Sequence, residues 1–376
     1  MSGIYIHIPF CKQACHYCNF HFSTSLRYKN EFVSALLKEI ELTDNNLGPA
    51  NTVYFGGGTP SLLTIPELEQ VLDAVRQRFG WHANAEITLE ANPDDFNSAQ
   101  LDSWKDLGIN RLSIGVQSFF EEDLRWMNRA HNAEQAIESL QLAVATIPNI
   151  TLDLIYGSPG LSDEKWKHNL DQALNLGVKH LSCYALTVEP LTPLAKMIRT
   201  QQSPNVDDGQ QARQFLFLIQ YLAEKGFEQY EISNFCLPGH RSRHNSAYWQ
   251  GKPYIGLGPG AHSFDGNSRW WNIANNQRYI RSINEGQIPR EKETLTPVQR
   301  WNEYIMIRLR TAEGIDLVNL PDLPDDPGLS QRVDRFKKNI QAFIQKGWVA
   351  ENNMVYSLTD EGKLYADGIA GEMFER

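Results

Sequence analysis

Cys11, Cys15 and Cys18 stand in a C-x3-C-x2-C run, directly after the apolar stretch Ile4-Tyr5-Ile6-His7-Ile8-Pro9-Phe10. Three thiolates crowd into eight residues. An iron–sulfur cube has four irons and usually takes four cysteines, so three protein ligands leave one iron open to hold something else. A structural zinc site would want a closed set of four ligands. The other two cysteines, Cys183 and Cys236, are isolated in the chain and read as buried core residues, the usual fate of a free cysteine. Five cysteines in 376 residues do not make a disulfide framework, which points to a reducing compartment.

The chain is long enough for two or three domains. It contains no apolar run long enough to cross a membrane, and no secretory signal is expected from its N-terminus. The net charge of −10 argues against nucleic acid as a partner, which calls for a basic footprint.

The first half alternates strand and helix. Strands are expected at 4–9, 52–55, 85–91, 111–117, 150–156 and 180–188. Between them the helical stripes run over 27–43, with Phe32, Leu36 and Ile40 on one face, then 66–79, 98–107 capped by Ser98, 133–145 and 163–176. Six strand–helix units predict a parallel sheet with helical crossovers, either open or closed into a barrel. Special residues sit at the C-terminal ends of nearly all these strands: the cysteine loop, Gly56-Gly57-Gly58, Glu90-Ala91-Asn92-Pro93, Gln117-Ser118 and Tyr184-Ala185. In parallel α/β folds ligands bind at that edge, so these residues are expected to share one rim.

After about residue 187 the pattern changes. A long helix is expected over 210–225 and a strand over 227–235, followed by a segment rich in Gly, Pro and aromatic residues from 240 to 271. From about 289 the chain reads as a small domain with helices at 299–310 and 333–346, a hairpin over 348–356 and a last helix opened by Thr359. Helices followed by a two-stranded wing resemble a winged helix. With 11 basic and 15 acidic residues from 291 to 376, packing or partner binding is expected there rather than DNA binding.

The C-x3-C-x2-C loop after the first strand, with Tyr17 before its third cysteine, resembles the radical S-adenosylmethionine (SAM) superfamily. That resemblance implies an incomplete (β/α)6 barrel, a [4Fe-4S] cluster on Cys11, Cys15 and Cys18, and SAM on the open iron. In that family one-electron reduction cleaves SAM to a carbon-centred radical. It also implies SAM contacts from Tyr5, Tyr17, Gly57, Gly58, Thr59, Glu90, Gln117, Arg129 and Asp153.

The likeness narrows further. His7-Ile8-Pro9-Phe10-Cys11, Gly56-Gly57-Gly58-Thr59-Pro60, Ser113-Ile114-Gly115-Val116-Gln117-Ser118-Phe119, Asp153-Leu154-Ile155-Tyr156-Gly157 and Gly256-Leu257-Gly258-Pro259-Gly260-Ala261 resemble the oxygen-independent coproporphyrinogen III oxidase group over essentially the whole chain. The true oxidases carry a further cysteine two residues after the third, where this chain has Phe20, and an N-terminal extension before the first strand. The other branch, the HemW-type heme chaperones, is marked by H-N-x-x-Y-W, read here as His244-Asn245-Ser246-Ala247-Tyr248-Trp249.

That branch implies heme b as a further cofactor and heme delivery to apo-hemoproteins, including respiratory enzymes at a membrane. It implies a heme-transfer protein rather than a coproporphyrinogen oxidase, although the radical SAM architecture leaves an enzyme open. His244, Tyr248 and Trp249 become candidate heme contacts, because imidazole is the commonest axial ligand and aromatic faces suit a porphyrin. Arg241 and Arg243 could meet propionates, and His240 and His262 are alternative ligands, His262 by the SAM pocket. The expected organisation is a core barrel over 1–235, a connecting segment over 236–288 and a C-terminal winged-helix-type domain over 289–376. A cytoplasmic location is expected, with peripheral contact at the inner membrane face, and a homodimer linked through the cluster. A coproporphyrinogen III oxidase, or a radical SAM enzyme with another substrate, stays open.

Overall fold

The computed structural model describes residues 3–45, 47–320 and 327–375. Six strands, β1 (Gly3–Ile8), β2 (Ala50–Gly57), β3 (Trp81–Ala91), β4 (Arg111–Gln117), β5 (Ile150–Tyr156) and β6 (His180–Ala185), pair in parallel in chain order. Helices connect each to the next. Alternation along these strands sorts the two faces. Ile4, Ile6, Ile8, Val53, Phe55, Ile87, Leu89, Leu112, Ile114, Leu152 and Leu154 are buried against the helices. At about 1.5–3 kcal/mol for each large apolar side chain buried, this layer holds the barrel wall together. The other face carries polar residues in register, with Tyr5 beside Tyr54, Glu90 beside Ser113, and Asp153 beside Ser182. That face is the lumen.

The sheet is wider than six strands. β7 (Glu228–Glu231) and β8 (Asn234–Cys236) form a hairpin, and β8 pairs antiparallel with β6. One strand had been expected over 227–235. The turn at Ile232 and Ser233 splits it, because Ile232 donates its N–H to Arg310 of the C-terminal domain rather than to the sheet. At the opposite edge β9 (Tyr254–Leu257) lies parallel to β1, followed by antiparallel β10 (His262–Phe264), β11 (Ser268–Asn272) and β12 (Arg290–Thr294). The segment read from sequence as a connection thus builds one wing of the main sheet, and β12 follows the expected boundary at 289 yet pairs with β11.

Asn97 rather than Ser98 caps the helix Ser98–Asp106, its side chain accepting the N–H of Gln100 while the Gln100 side chain accepts the N–H of Asn97. The C-terminal domain has its own core around Trp301, Ile305, Leu309, Phe336, Ile340 and Tyr356. Its sheet has three strands, β13 (Ile315–Asp316), β14 (Val349–Asn352) and β15 (Val355–Leu358), in the order β13-β15-β14. The expected hairpin is β14–β15. The third strand is only two residues long, too short for periodicity to reveal. The domain docks on the β7–β8 hairpin through the Ile232–Arg310 bond and the Arg241–Glu313 ion pair.

Candidate functional site

A cavity of about 450 Å³ opens at the C-terminal ends of β2–β6. Cys11, Cys15, Cys18, Tyr17, Gly57, Gly58, Thr59, Glu90, Gln117, Arg129 and Asp153 all line it. The cysteine loop is clamped by the segment after β4. His16 donates its backbone N–H to Met127 O, Gln13 Nε2 donates to Asn128 Oδ1 (2.7 Å), and Asn128 Nδ2 donates to Ala14 O (2.7 Å). Asn128 takes a left-handed φ of 59° to make the turn. Arg129 then points inward, donating to Cys15 Sγ (3.2 Å), Asn92 Oδ1 (2.5 Å) and Gly115 O (2.5 Å).

The glycine triplet is needed for close approach. A Cβ on Gly58 would meet Phe10 O at 2.5 Å, and one on Gly57, at φ 106°, would meet His7 Nδ1 at 2.4 Å. The loop and the triplet are also joined through Thr59, whose N–H donates to Phe10 O. Glu90 Oε1 accepts from Tyr54 O–H (2.7 Å) and Oε2 from Gly57 N–H (3.2 Å). Burial pushes the Glu90 carboxyl up to about 7, and the Asp153 charge adds to this. Burial likewise pushes Asp153 up to about 7. Burial raises the Cys11 thiol to about 11 and raises Cys18 as well, so a metal must displace these protons on binding.

The donor set fits a cluster with SAM. Three half-buried free thiols share one loop. Asp153 Oδ1 and Arg129 Nε are buried without a hydrogen-bond partner at the cavity and can take a polar, charged ligand. Among the described residues no group of three His, Cys, Asp or Glu side chains is gathered tightly enough for a single ion. Three thiols that leave one position open suit a cube, whereas structural zinc calls for a closed set of four ligands.

Tyr5 lines a second cavity, its ring stacked near Tyr54 and its hydroxyl 3.1 Å from His7 Nδ1. A Cβ on Gly56 would meet both the Tyr5 ring and Glu90, at 3.0 Å, so Tyr5 stands between the two cavities. Sequence reading missed Tyr54, which shares a strand face with Gly56. It also missed Lys12, whose ammonium bridges Asp94 (3.0 Å) and Asp95 (2.6 Å) and ties the cysteine loop to the end of β3.

The second cavity, of about 1010 Å³, lies between β9–β11 and the helix Pro297–Leu309. Tyr248 and Trp249 line it, and His244 does not. His244 is 2% exposed, with Nδ1 2.7 Å from Thr52 Oγ1 and Nε2 2.9 Å from Tyr248 O–H. Its N–H donates to Glu86. Burial, with the Arg111 charge, lowers its pKa to about 3. Both ring nitrogens are hydrogen-bonded, so His244 anchors the helix Arg243–Trp249 to the barrel. Arg241 pairs with Glu228 and Glu313, and Arg243 donates to Asn84 O, so neither faces this cavity. His262 lines the second cavity rather than the first, and His240 lines neither.

Comparison with known proteins fits this geometry. Residues 5–173 match the radical SAM superfamily and residues 295–365 the HemN C-terminal domain. The chain is 38% identical to the heme chaperone HemW of Synechocystis sp., over 99% of this chain and 96% of that protein. It is 33% identical to the heme chaperone HemW of Escherichia coli, over 98% and 96%.

The chain belongs to the HemW family of the radical SAM superfamily.

Radical SAM membership carries with it a [4Fe-4S] cluster and SAM, in keeping with the thiol loop and the cavity beside it. The fold also matches the solved coproporphyrinogen III oxidase HemN of Escherichia coli, with a TM-score of 0.86 at 22% identity, over 99% of this chain and 90% of that one. That likeness gives the chain its architecture, the incomplete barrel with a smaller C-terminal domain. No helix among the described residues is long and apolar enough to cross a membrane.

Proposed function

We propose that this protein binds heme and delivers it to apo-hemoproteins, respiratory enzymes at a membrane among them, with a SAM-ligated cluster as its resident cofactor. The observation that carries the reading is full-length similarity to proteins named heme chaperones. Two features support it. Phe20 stands where the oxidases have a further cysteine, and it is 69% exposed at the mouth of the cluster cavity. The second cavity is large enough for a flat macrocycle, being at the top of the roughly 300–1,000 Å³ range of small-molecule pockets.

When bound, the cluster and SAM supply one-electron chemistry at the open iron. The chain's own residues hold that site. Cys11, Cys15 and Cys18 ligate, Arg129 fixes Cys15, and the glycine triplet lets the backbone approach closely. Glu90 and Asp153 offer carboxylates to a cationic ligand. The cluster and SAM serve heme handover or dimer assembly rather than a turnover reaction, in a cytoplasmic protein that meets its acceptors at the inner membrane face.

The test is a transfer assay. Heme-loaded protein is mixed with an apo-cytochrome, and heme transfer is followed by absorbance. The same preparation is supplied with coproporphyrinogen III, SAM and reductant. Transfer without turnover is expected. Conversion to protoporphyrinogen would make the protein an oxidase.

A further inference from the structure

The larger cavity holds a histidine that the sequence motif did not mark. Three imidazoles line it: His7, His21 and His262. His7 is committed at both nitrogens, to Tyr5 O–H (3.1 Å) and His21 O (2.9 Å). His21 has Nε2 2.7 Å from Asn276 Oδ1. That leaves it only Nδ1, the nitrogen beside Cβ, which a macrocycle approaches against steric crowding. His262 makes no hydrogen bond through its ring among the described residues. It is exposed to the cavity and stacked on Trp271 at 5.8 Å. Burial and the nearby Arg269 charge lower its pKa and keep the ring neutral, the form that ligates iron.

Its position is rigid. His262 opens β10 opposite Trp271 of β11, and the turn before it is tied down where Gly258 donates its N–H to Glu39. Around it the cavity offers flat aromatic walls in Tyr248, Trp249 and Phe264. Arg269 is neutralised by Glu303, at 2.8 and 3.1 Å. The Lys252 ammonium also lines the cavity and has no side-chain partner among the described residues.

We propose that His262 is the axial ligand of a heme seated in this second cavity, with Lys252 meeting one of its carboxylates. The assignment rests on the heme-carrying function proposed above, and it moves the ligand from His244 to His262. Phe20 lines both cavities, so the heme edge lies beside the cluster cavity with this ring at the boundary.

The experiment is an anaerobic heme titration of the full, cluster-reconstituted chain, comparing wild type with His262→Gly and His21→Ala. Soret absorbance and low-temperature EPR report the ligand, and far-UV CD checks folding. Wild type is expected to bind saturably with a histidine-ligated spectrum. His262→Gly should bind at least about tenfold more weakly, as for loss of a metal-site interaction. Added imidazole should restore its spectrum, and His21→Ala should behave as wild type. A His262→Gly protein with unchanged affinity and spectrum, or one that imidazole does not rescue, overturns the assignment while leaving heme binding intact. Absence of binding by wild type overturns the heme-carrying function as well.

Discussion

Replacing Glu39 by leucine should loosen the turn that leads into His262. Glu39 is 1% exposed on the inner face of the helix Lys29–Leu42. Its carboxylate accepts from Gly258 N–H (2.7 Å), Asn272 Nδ2 (2.5 Å) and Tyr279 O–H (2.5 Å). One side chain thereby joins the first helix to the turn before β10, the end of β11 and the helix Asn276–Asn284. Leucine fills the space but leaves two buried donors, Gly258 N–H and Tyr279 O–H, unpaired at about 1–3 kcal/mol each, while Asn272 Nδ2 keeps its bond to Gly258 O (2.9 Å). Leucine also relieves the burial of the carboxyl, which raises the Glu39 pKa and offsets part of that loss. The net cost should be about 2–5 kcal/mol. Glutamine keeps one acceptor and should cost about 1–2 kcal/mol. Guanidinium unfolding of the apoprotein followed by far-UV CD gives the order wild type, Glu39→Gln, Glu39→Leu, and heme affinity should weaken in the same order. A leucine variant with a midpoint at or above wild type would refute the claim that these donors depend on the carboxylate.

The remaining predictions concern the two cavities. Burial holds Glu90 and Asp153 near 7, against ordinary values of 4.5 and 3.8, so folding favours their protonated forms. Their contribution to stability is complete below about pH 4 and is lost as pH rises to about 7, so the apoprotein Tm should fall across that window and Asp153→Asn should flatten the decline. Gly58→Ala places a methyl 2.5 Å from Phe10 O, costs about 1–3 kcal/mol of strain and should lower the iron per chain after reconstitution. Cys11→Ala should lose its iron and brown colour, whereas retention would remove the cluster from the account. His244→Ala forfeits two buried hydrogen bonds and should lose about 2–3 kcal/mol of stability while keeping a histidine-ligated heme spectrum.

Much of this site was legible in the chain because chemistry and local spacing coincide there. The cysteine loop, the glycine triplet, Glu90 and Gln117 each stand at the C-terminal end of a strand, and parallel topology gathers those ends; Asp153, mid-way along β5, faces the same lumen. The six parallel strands followed from periodicity alone. The wing β9–β12 did not, since its strands are three to five residues long and the first three are set among Gly, Pro and aromatic residues. The lumen holds two cavities, and a strand pattern does not say that Tyr5 lines the second as well as adjoining Glu90 of the first. His244 was read as a ligand from its motif. Its two hydrogen bonds come from Thr52, 192 residues away, and from Tyr248, one helical turn on. The distant partner is invisible to local pattern. Glu39 lay one residue from a predicted apolar stripe, and its three partners come from beyond residue 250.

The measurement that bears most directly on the central claim is an anaerobic heme titration of the cluster-reconstituted protein, with coproporphyrinogen III turnover assayed on the same sample. Saturable binding of heme at one site, with no protoporphyrinogen formed, is the result the account predicts. Turnover of coproporphyrinogen III, with no saturable heme binding, would contradict it.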